Sequence, residues 1–366
     1  MNNAQQMYAL SLDECAESIK LMGHKRTVLV EGDMGTGKSS LLSMLADELP
    51  NHTPCYFDCT TKDLGDIMIP NIKFGSGEDE GFVRFVTNEE LGAHLGKPII
   101  LMIDEYGKAN PGVKNALLRI MLERKIGPYE LHPESLVFAT TNLGAEGVGD
   151  LLLPHQCNRI SVVQSRKPTN MEWIEWGLNN EIDHVLLGWA KDTPQLFQSF
   201  TEIRDPEDNP YIYHPNAVGR AAFVTPRSLE GASDWLKVRD SMTNNALTGQ
   251  LIGTIGARGA MDLMAYITLA DQMPTLDDIK TSPMTAKVPT SAAGVCMVVF
   301  RTLGAIEKDW INPWMDYLLR LDTEAQGMFA NGVRAKKYNK QSLVMTNKKF
   351  TDWAMANNFL FAADKK

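Results

Sequence analysis

At 366 residues, 44% hydrophobic and 22% charged, the chain has an ordinary globular composition and length enough for about two or three modest domains. Its net charge of −9 speaks against a generic nucleic-acid binder, which needs a basic surface, and no apolar run approaches the ~20 residues that span a bilayer. The opening stretch interleaves Asp13, Glu14, Glu17 and Lys20 with apolar positions, leaving no continuous apolar core for a signal peptide. A cytoplasmic protein with no membrane partner is the expectation. The five cysteines, Cys15, Cys55, Cys59, Cys157 and Cys296, are scattered and odd in number, which does not make a disulfide framework. Cys55 and Cys59 fall in one apparent strand, where four residues separate them by ~13 Å, beyond disulfide reach. Buried or half-buried thiols are expected.

Residues 12–22 read as a helix leading into a first strand at 27–30. From there to about residue 163, short apolar runs alternate with helical stretches, the pattern of a parallel α/β sheet. Further strands are expected at 55–58, 99–103, 135–139 and 160–163; their continuous apolar character fits burial on both faces. After Lys167 the texture turns helical. Thr169 and Glu172 make a capping box ahead of the Trp173/Trp176 face. Residues 205–215, rich in Pro, Asp and Asn, form a loop. Thr225-Pro226 then opens a helix, with Thr as cap and Pro at the first helical position. Helices at 257–272 and 292–303 flank a Pro-containing link, 273–289. A last helix, 310–331, precedes a Lys-rich loop and a Trp/Phe-containing tail.

Gly32-Asp33-Met34-Gly35-Thr36-Gly37-Lys38-Ser39 fits the phosphate-loop pattern G-x-x-x-x-G-K-[ST] and stands where that pattern belongs, between the strand at 27–30 and a helix at 39–49. The glycines let the backbone wrap an anion with its N–H groups inward, and the helix N-terminus adds favourable partial charge. The cradle then runs from Gly32 to Ser40. Lys38 is expected to reach the β- and γ-phosphates of ATP, and Ser39 to ligate Mg²⁺. Residues 99–105 form an apolar strand ending in Asp104-Glu105. Such an ending alone is weak, because many strands run into acidic loops; behind a phosphate loop it is strong. Asp104 is expected in the Mg²⁺ shell, and Glu105 as the group that orients and polarises the attacking water.

Residues 138–142 are a further apolar strand, ending in Asn142. Parallel strands bring their C-terminal ends to one crevice, so Asn142 can face the γ-phosphate and the water; a turn-forming asparagine is the other reading. Arg159 precedes the last strand. Arg227 lies in the first turn of the helix opened by Thr225-Pro226, where the macrodipole disfavours a cation and so hints at an anionic partner. Spacing assigns a role to neither arginine, and surface or salt-bridge roles stay open for both.

The ordered set of phosphate loop, Asp104-Glu105, Asn142, Arg159 and Arg227 resembles AAA+ ATPases. More narrowly, residues 104–111 (Asp-Glu-Tyr-Gly-Lys-Ala-Asn-Pro), then Ala116-Leu117-Leu118, Glu123-Arg124-Lys125 and Ala139-Thr140-Thr141-Asn142, are similar to the motif series of MoxR-type ATPases. Leu153-Pro154 through Arg159 resembles that family's leucine–proline segment ending in an arginine. Lys108 stands where the family has Arg, and Asn158 and Ile160 flank Arg159 in place of Asp and Phe. The likeness covers about residues 10–240. It implies an α/β P-loop AAA+ core, a parallel sheet with flanking helices, at 1–166 and an all-helical lid at 167–245; beyond the likeness, the helical texture predicts a helical extension of no assigned role at 246–366. It also implies a ring, hexameric or similar, with ATP between copies: Arg159 as the finger toward a neighbour's nucleotide, Asn142 as first sensor, Arg227 as second. An insertion at about 69–90 and a hairpin at about 125–134 would face the pore or a bound partner.

Three functions follow. The first is an ATP-driven, chaperone-like remodeller of a protein partner, which the resemblance makes a separate chain carrying a von Willebrand A domain. The second is a DNA-handling motor, kept open by Lys125 and by the group Lys336, Lys337, Lys340, Lys348 and Lys349, though the acidic balance favours the first. The third, a nucleotide-gated scaffold with little turnover, is opposed by the intact Glu105.

Overall fold

A computed structural model describes residues 8–74, 81–143, 158–270, 273–335 and 338–362. The chain divides into two compact units, Met1–Lys167 and Pro168–Lys366.

In the first unit, α1 (Leu12–Met22) opens on a reciprocal capping box between Ser11 and Glu14. β1 (Val28–Gly32) runs through the glycine-rich loop into α2 (Ser40–Glu48), and β2 (Thr53–Asp58) follows. An antiparallel ribbon, β3 (Met68–Phe74) with β4 (Gly81–Thr87), precedes β5 (Ile99–Asp104) and α3 (Pro111–Glu123). A short hairpin, β6 (Lys125–Ile126) with β7 (Tyr129–Glu130), leads to β8 (Leu136–Asn142) and β9 (Ser161–Gln164). The main sheet has the order β2-β5-β8-β1-β9 and is parallel throughout, so each strand expected from the apolar runs is present. Val28, Val30, Ile100, Met102 and Phe138 pack on one face with Ile19, Leu41 and Leu45. Leu29, Leu101, Ile103, Val137 and Ala139 pack on the other with Val113, Leu117 and Ile120. Coverage on both faces is what makes the strands unbroken apolar runs.

The ribbon is different. Ile69 pairs with Val86 and Ile72 with Val83, which puts the two pairs on opposite faces, and all four side chains are exposed. The ribbon starts one residue before the insertion expected at about 69–90 and otherwise lies inside it; residues 75–80 of that insertion lie outside the described residues. Arg124 ends α3 in the left-handed region (φ 59), and its guanidinium donates to Thr27 Oγ1 and Gly23 O at 2.8 Å each. Burial lowers its pKa to about 10.

Cys15, Cys55, Cys59 and Cys296 are free and buried; Cys157 lies outside the described residues. Cys59 sits in a 3₁₀ turn (Cys59–Thr61) just past β2, not in the strand itself. Asp58 ends the strand there by accepting from the backbone N of Thr60 at 2.9 Å.

The second unit is helical: α4 (Asn170–Asn179), α5 (His184–Asp192), α6 (Pro226–Lys237), α7 (Asn244–Ala270), α8 (Leu276–Thr281), α9 (Ala292–Ala305), α10 (Ile311–Leu318), α11 (Thr323–Arg334), α12 (Gln341–Met345), α13 (Lys348–Ala356) and α14 (Phe359–Ala362). Thr169 and Thr225 cap α4 and α6 as expected. Three expectations change. The link at 273–289 contains α8, which a Thr275/Asp278 capping box starts. The single helix at 310–331 is two, because Asp322 caps a new one by accepting from the backbone N of Ala325. The helix expected from 257 is the second half of α7, whose first half buries Leu247, Leu251 and Ile255 at helical spacing; Gly256 (φ 79, ψ 161) breaks it between the halves. Lys348 and Lys349 begin α13, whereas Lys336 and Lys337 lie outside the described residues. One hydrophobic cluster runs from Trp173 to Trp353, so the residues assigned to lid and extension share a core. Among the described residues no helix is long and apolar enough to cross a membrane.

Candidate active site

The strand ends meet at one edge of the sheet. Gly32, the last residue of β1, stands in register with Asn142 at the end of β8, and Asp58 of β2 with Asp104 of β5. Parallel pairing thus collects the loop, the two carboxylates and the asparagine in one crevice.

Gly35 (φ 69) and Gly37 (φ 93) take the left-handed conformations that curl the loop, which L side chains adopt only with strain. Thr36 Oγ1 donates to Asp33 O at 3.0 Å, and Ser40 Oγ to Gly37 O at 2.7 Å, so both hydroxyls brace the loop from within. Lys38 is 7% exposed. Its ammonium donates to Gly32 O (2.9 Å), Asp33 O (2.7 Å) and Asn142 Oδ1 (2.9 Å). Ser39 stands at the N-cap of α2 without a side-chain cap bond; its hydroxyl lies 3.4 Å from Asp104 Oδ2 instead.

Asp104 is 8% exposed, and four donors fix its carboxylate. Thr140 Oγ1 and the backbone N of Glu105 (3.0 Å) donate to Oδ1. Tyr56 OH (2.9 Å) and Ser39 Oγ (3.4 Å) donate to Oδ2. Burial first, then the bond to Asp104 and the nearby charges of Asp104, Asp58 and Glu105, push the Tyr56 hydroxyl well above its usual range, so it remains a donor. Glu105 is in the left-handed region (φ 52, ψ 37), a strained place for a non-glycine residue that costs on the order of 1–3 kcal/mol. The turn aims its carboxylate along the sheet edge. There Asn142 Nδ2 donates to Oε1 (2.9 Å) and Oε2 (3.3 Å), and Lys108 Nζ lies 3.2 Å from Oε1.

Five of the expected residues therefore form one connected network, running from Lys38 through Asn142 to Glu105, with Ser39 and Asp104 beside it. Arg159 is exposed in the turn before β9, with no ion pair or hydrogen bond to another described residue; Leu153 and Pro154 lie outside the described residues. Arg227 is the exposed second residue of α6 in the second unit. Tyr56, Thr140 and the pairing of Lys108 with Glu105 went unseen in the sequence. A tyrosine two residues before a strand end is a weak signal until the register sets it beside Asp104.

The donor set at Ser39 and Asp104 fits a hard divalent cation. Two octahedral Mg²⁺ ligands at ~2.1 Å and a right angle lie ~3 Å apart, close to the 3.4 Å between Ser39 Oγ and Asp104 Oδ2. Among the described residues no group of three or more His, Cys, Asp or Glu could hold a metal. The Ser39–Asp104 pair suits an ion which takes one carboxylate and one hydroxyl from the protein and shares the rest with phosphates and water.

No family model matches the chain, and no curated protein matches it. Solved structures similar to it include a putative ATPase from Cytophaga hutchinsonii, 17% identical over 46% of this chain and 50% of that one, TM-score 0.35. Another is NtrX from Brucella abortus in complex with ADP, 13% identical over 95% and 68%, TM-score 0.37. A third is a point mutant of RuvB from Thermotoga maritima, 17% identical over 82% and 85%, TM-score 0.36. The chain spans about half the length of the Cytophaga protein. Sheet order and loop geometry, not these distant likenesses, define the class: a parallel α/β core that carries a phosphate loop, followed by a helical unit.

Proposed function

We propose that the chain is a Mg²⁺-dependent AAA+ ATPase of MoxR-like type. It works as a ring, hexameric or similar, with ATP between copies, and remodels or activates a protein partner on a separate chain. One observation carries the ATPase reading: the network that links Lys38, Asn142 and Glu105 beside the Ser39–Asp104 pair. Lys38 would neutralise the β- and γ-phosphates, and Ser39 and Asp104 would hold Mg²⁺, which supplies positive charge to the polyphosphate. Glu105, held by Asn142 and Lys108, orients water and accepts its proton. Arg159, exposed and without a partner among the described residues, suits a finger toward a neighbouring copy, and Arg227 a second sensor. The motif series and the −9 charge favour a protein partner.

Mg²⁺-dependent phosphate release from ATP by the purified chain tests the reading. Lys38→Ala removes a charge-assisted donor and should weaken ATP binding about a hundredfold by calorimetry; unchanged affinity would remove the phosphate-loop assignment. Duplex and single-stranded DNA belong in the same assay. Salt-sensitive DNA binding together with DNA-stimulated turnover would promote the motor reading over the protein remodeller.

Tyr56→Phe takes one donor from the oxygen of Asp104 that faces Ser39. The Mg²⁺ concentration for half-maximal turnover should rise about fivefold, the worth of one hydrogen bond near 1 kcal/mol, with turnover at saturating Mg²⁺ kept. An unmoved Mg²⁺ requirement would mean that Thr140 and Ser39 suffice to hold the carboxylate.

A further inference from the structure

We infer that Lys167 is a positioning residue for the phosphate loop, acting through the Asp33 carboxylate; the inference rests on the ATPase reading above. Asp33 is the second residue of the loop, so the chain places an anion where a polyphosphate arrives. The side chain is not turned out to water. Asp33 is 4% exposed, and the Nζ of Lys167 lies 3.4 Å from its Oδ2, with the Lys167 side chain 6% exposed. Among the described residues Oδ2 makes no hydrogen bond, so the contact with Lys167 is Coulombic rather than directional. A buried carboxylate without such a cation is strongly disfavoured.

The backbone of the same residue is held from the other side. Asp33 O accepts from Lys38 Nζ at 2.7 Å and from Thr36 Oγ1 at 3.0 Å. Two ammonium groups thus grip Asp33, one on its carbonyl and one on its carboxylate. Removing the Lys167 charge would leave the Asp33 charge to oppose the field that Lys38 offers to phosphate.

Lys167 is itself fixed by the segment that carries it. Ser165 N and Oγ both donate to Glu31 O, at 2.6 and 3.1 Å. Arg166 N donates to Leu10 O, and Leu10 N to Gln164 O, at 2.8 Å each. Pro168 restricts the Lys167 backbone to extended conformations. The segment also touches the root of the loop, since a Cβ on Gly32 would overlap Ser165 Oγ. The cation is therefore delivered to Asp33 by backbone hydrogen bonds, not by a wandering side chain.

The test compares ATP affinity by calorimetry and the KM and kcat of ATP turnover for wild type, Lys167→Met, Lys167→Arg and the double variant Asp33→Asn/Lys167→Met. Lys167→Met keeps the stem and drops the charge, so Kd and KM for ATP should rise about tenfold while kcat at saturating ATP stays within about threefold. Lys167→Arg should stay within about threefold of wild type in Kd. The double variant, with both charges gone, should return to within about threefold of wild type; a lost packing contact would show no such rescue. Equal affinity of Lys167→Met and wild type, or a double variant no better than Lys167→Met, overturns the inference while the ATPase reading stands. Wild type that binds no ATP overturns both. Should Lys167→Met not fold, the double variant decides: folding with near-normal affinity supports the pairing, and failure to fold or a tenfold loss overturns it.

Discussion

Glu105→Gln should bind ATP as tightly as wild type and hydrolyse it about a thousandfold more slowly, the usual range for loss of a positioned general base. The substitution keeps the length of the side chain and the left-handed turn that aims it, φ 52 and ψ 37. An amide oxygen can still accept from Asn142 Nδ2, which now lies 2.9 Å from Oε1. What goes is the negative charge that pairs with Lys108 at 3.2 Å and takes a proton from water. Lys38, Ser39 and Asp104 do not touch the altered atom, so nucleotide affinity is preserved. Phosphate release and the amount of ATP still bound after gel filtration check both halves. A variant that turns over at the wild-type rate would mean that another group activates the water.

Arg159→Ala should lose about 10³–10⁵ in turnover, the contribution of an arginine supplied to a transferring phosphoryl group, while still binding ATP. Arg159 is exposed in the turn before β9, and the network around Glu105 has no part in holding it. If it acts on a neighbour's nucleotide, its loss is complemented by subunits whose own nucleotide site is dead. Lys38→Ala subunits are such a donor, because they keep Arg159. Mixing the two inactive variants should restore measurable turnover at interfaces that pair an intact loop with an intact arginine. Wild-type turnover should also rise faster than linearly with protein concentration through the assembly range. A mixture that stays inactive although mixed oligomers form, or Arg159→Ala with normal turnover, removes the finger assignment. Full activity from a monomer removes the ring.

Lys38, Ser39, Asp104, Glu105 and Asn142 were legible because each is tied to an element the chain announces. A buried parallel strand must be an unbroken apolar run, and its polar ending marks the crevice. Caps were legible for a similar reason: Thr169 with Glu172, and Thr225 with Pro226, are local chemistry. Tyr56, Thr140 and Lys167 were not, because their roles depend on which strand lies beside which. The order β2-β5-β8-β1-β9 is a long-range fact that no window of sequence carries. In the second unit, Asp322 and Thr275 start helices inside stretches read as continuous helix or as loop. Around Asp322 the apolar period ran on across a break made by a single capping side chain, whereas Thr275 opens a short helix in a stretch that its prolines marked as a link. Gly256 shows the opposite case, a conformational break at a residue that a helical pattern tolerates.

The β3–β4 ribbon has a consequence for how the first unit comes apart. A two-stranded ribbon is marginal by itself, and Ile69, Ile72, Val83 and Val86 bring it no buried core. The main sheet, packed on both faces, opens only when the unit as a whole does. Amide hydrogen exchange should therefore separate the two: the ribbon's cross-strand amides exchange through a local opening of low free energy, and those of β1, β5 and β8 through global unfolding. Denaturant or a destabilising core substitution would accelerate exchange in the sheet and leave the ribbon's rate almost where it was. Within one unit, then, the chain holds two independent scales of stability, and a change that stabilises the ribbon can be made without altering the melting of the main sheet.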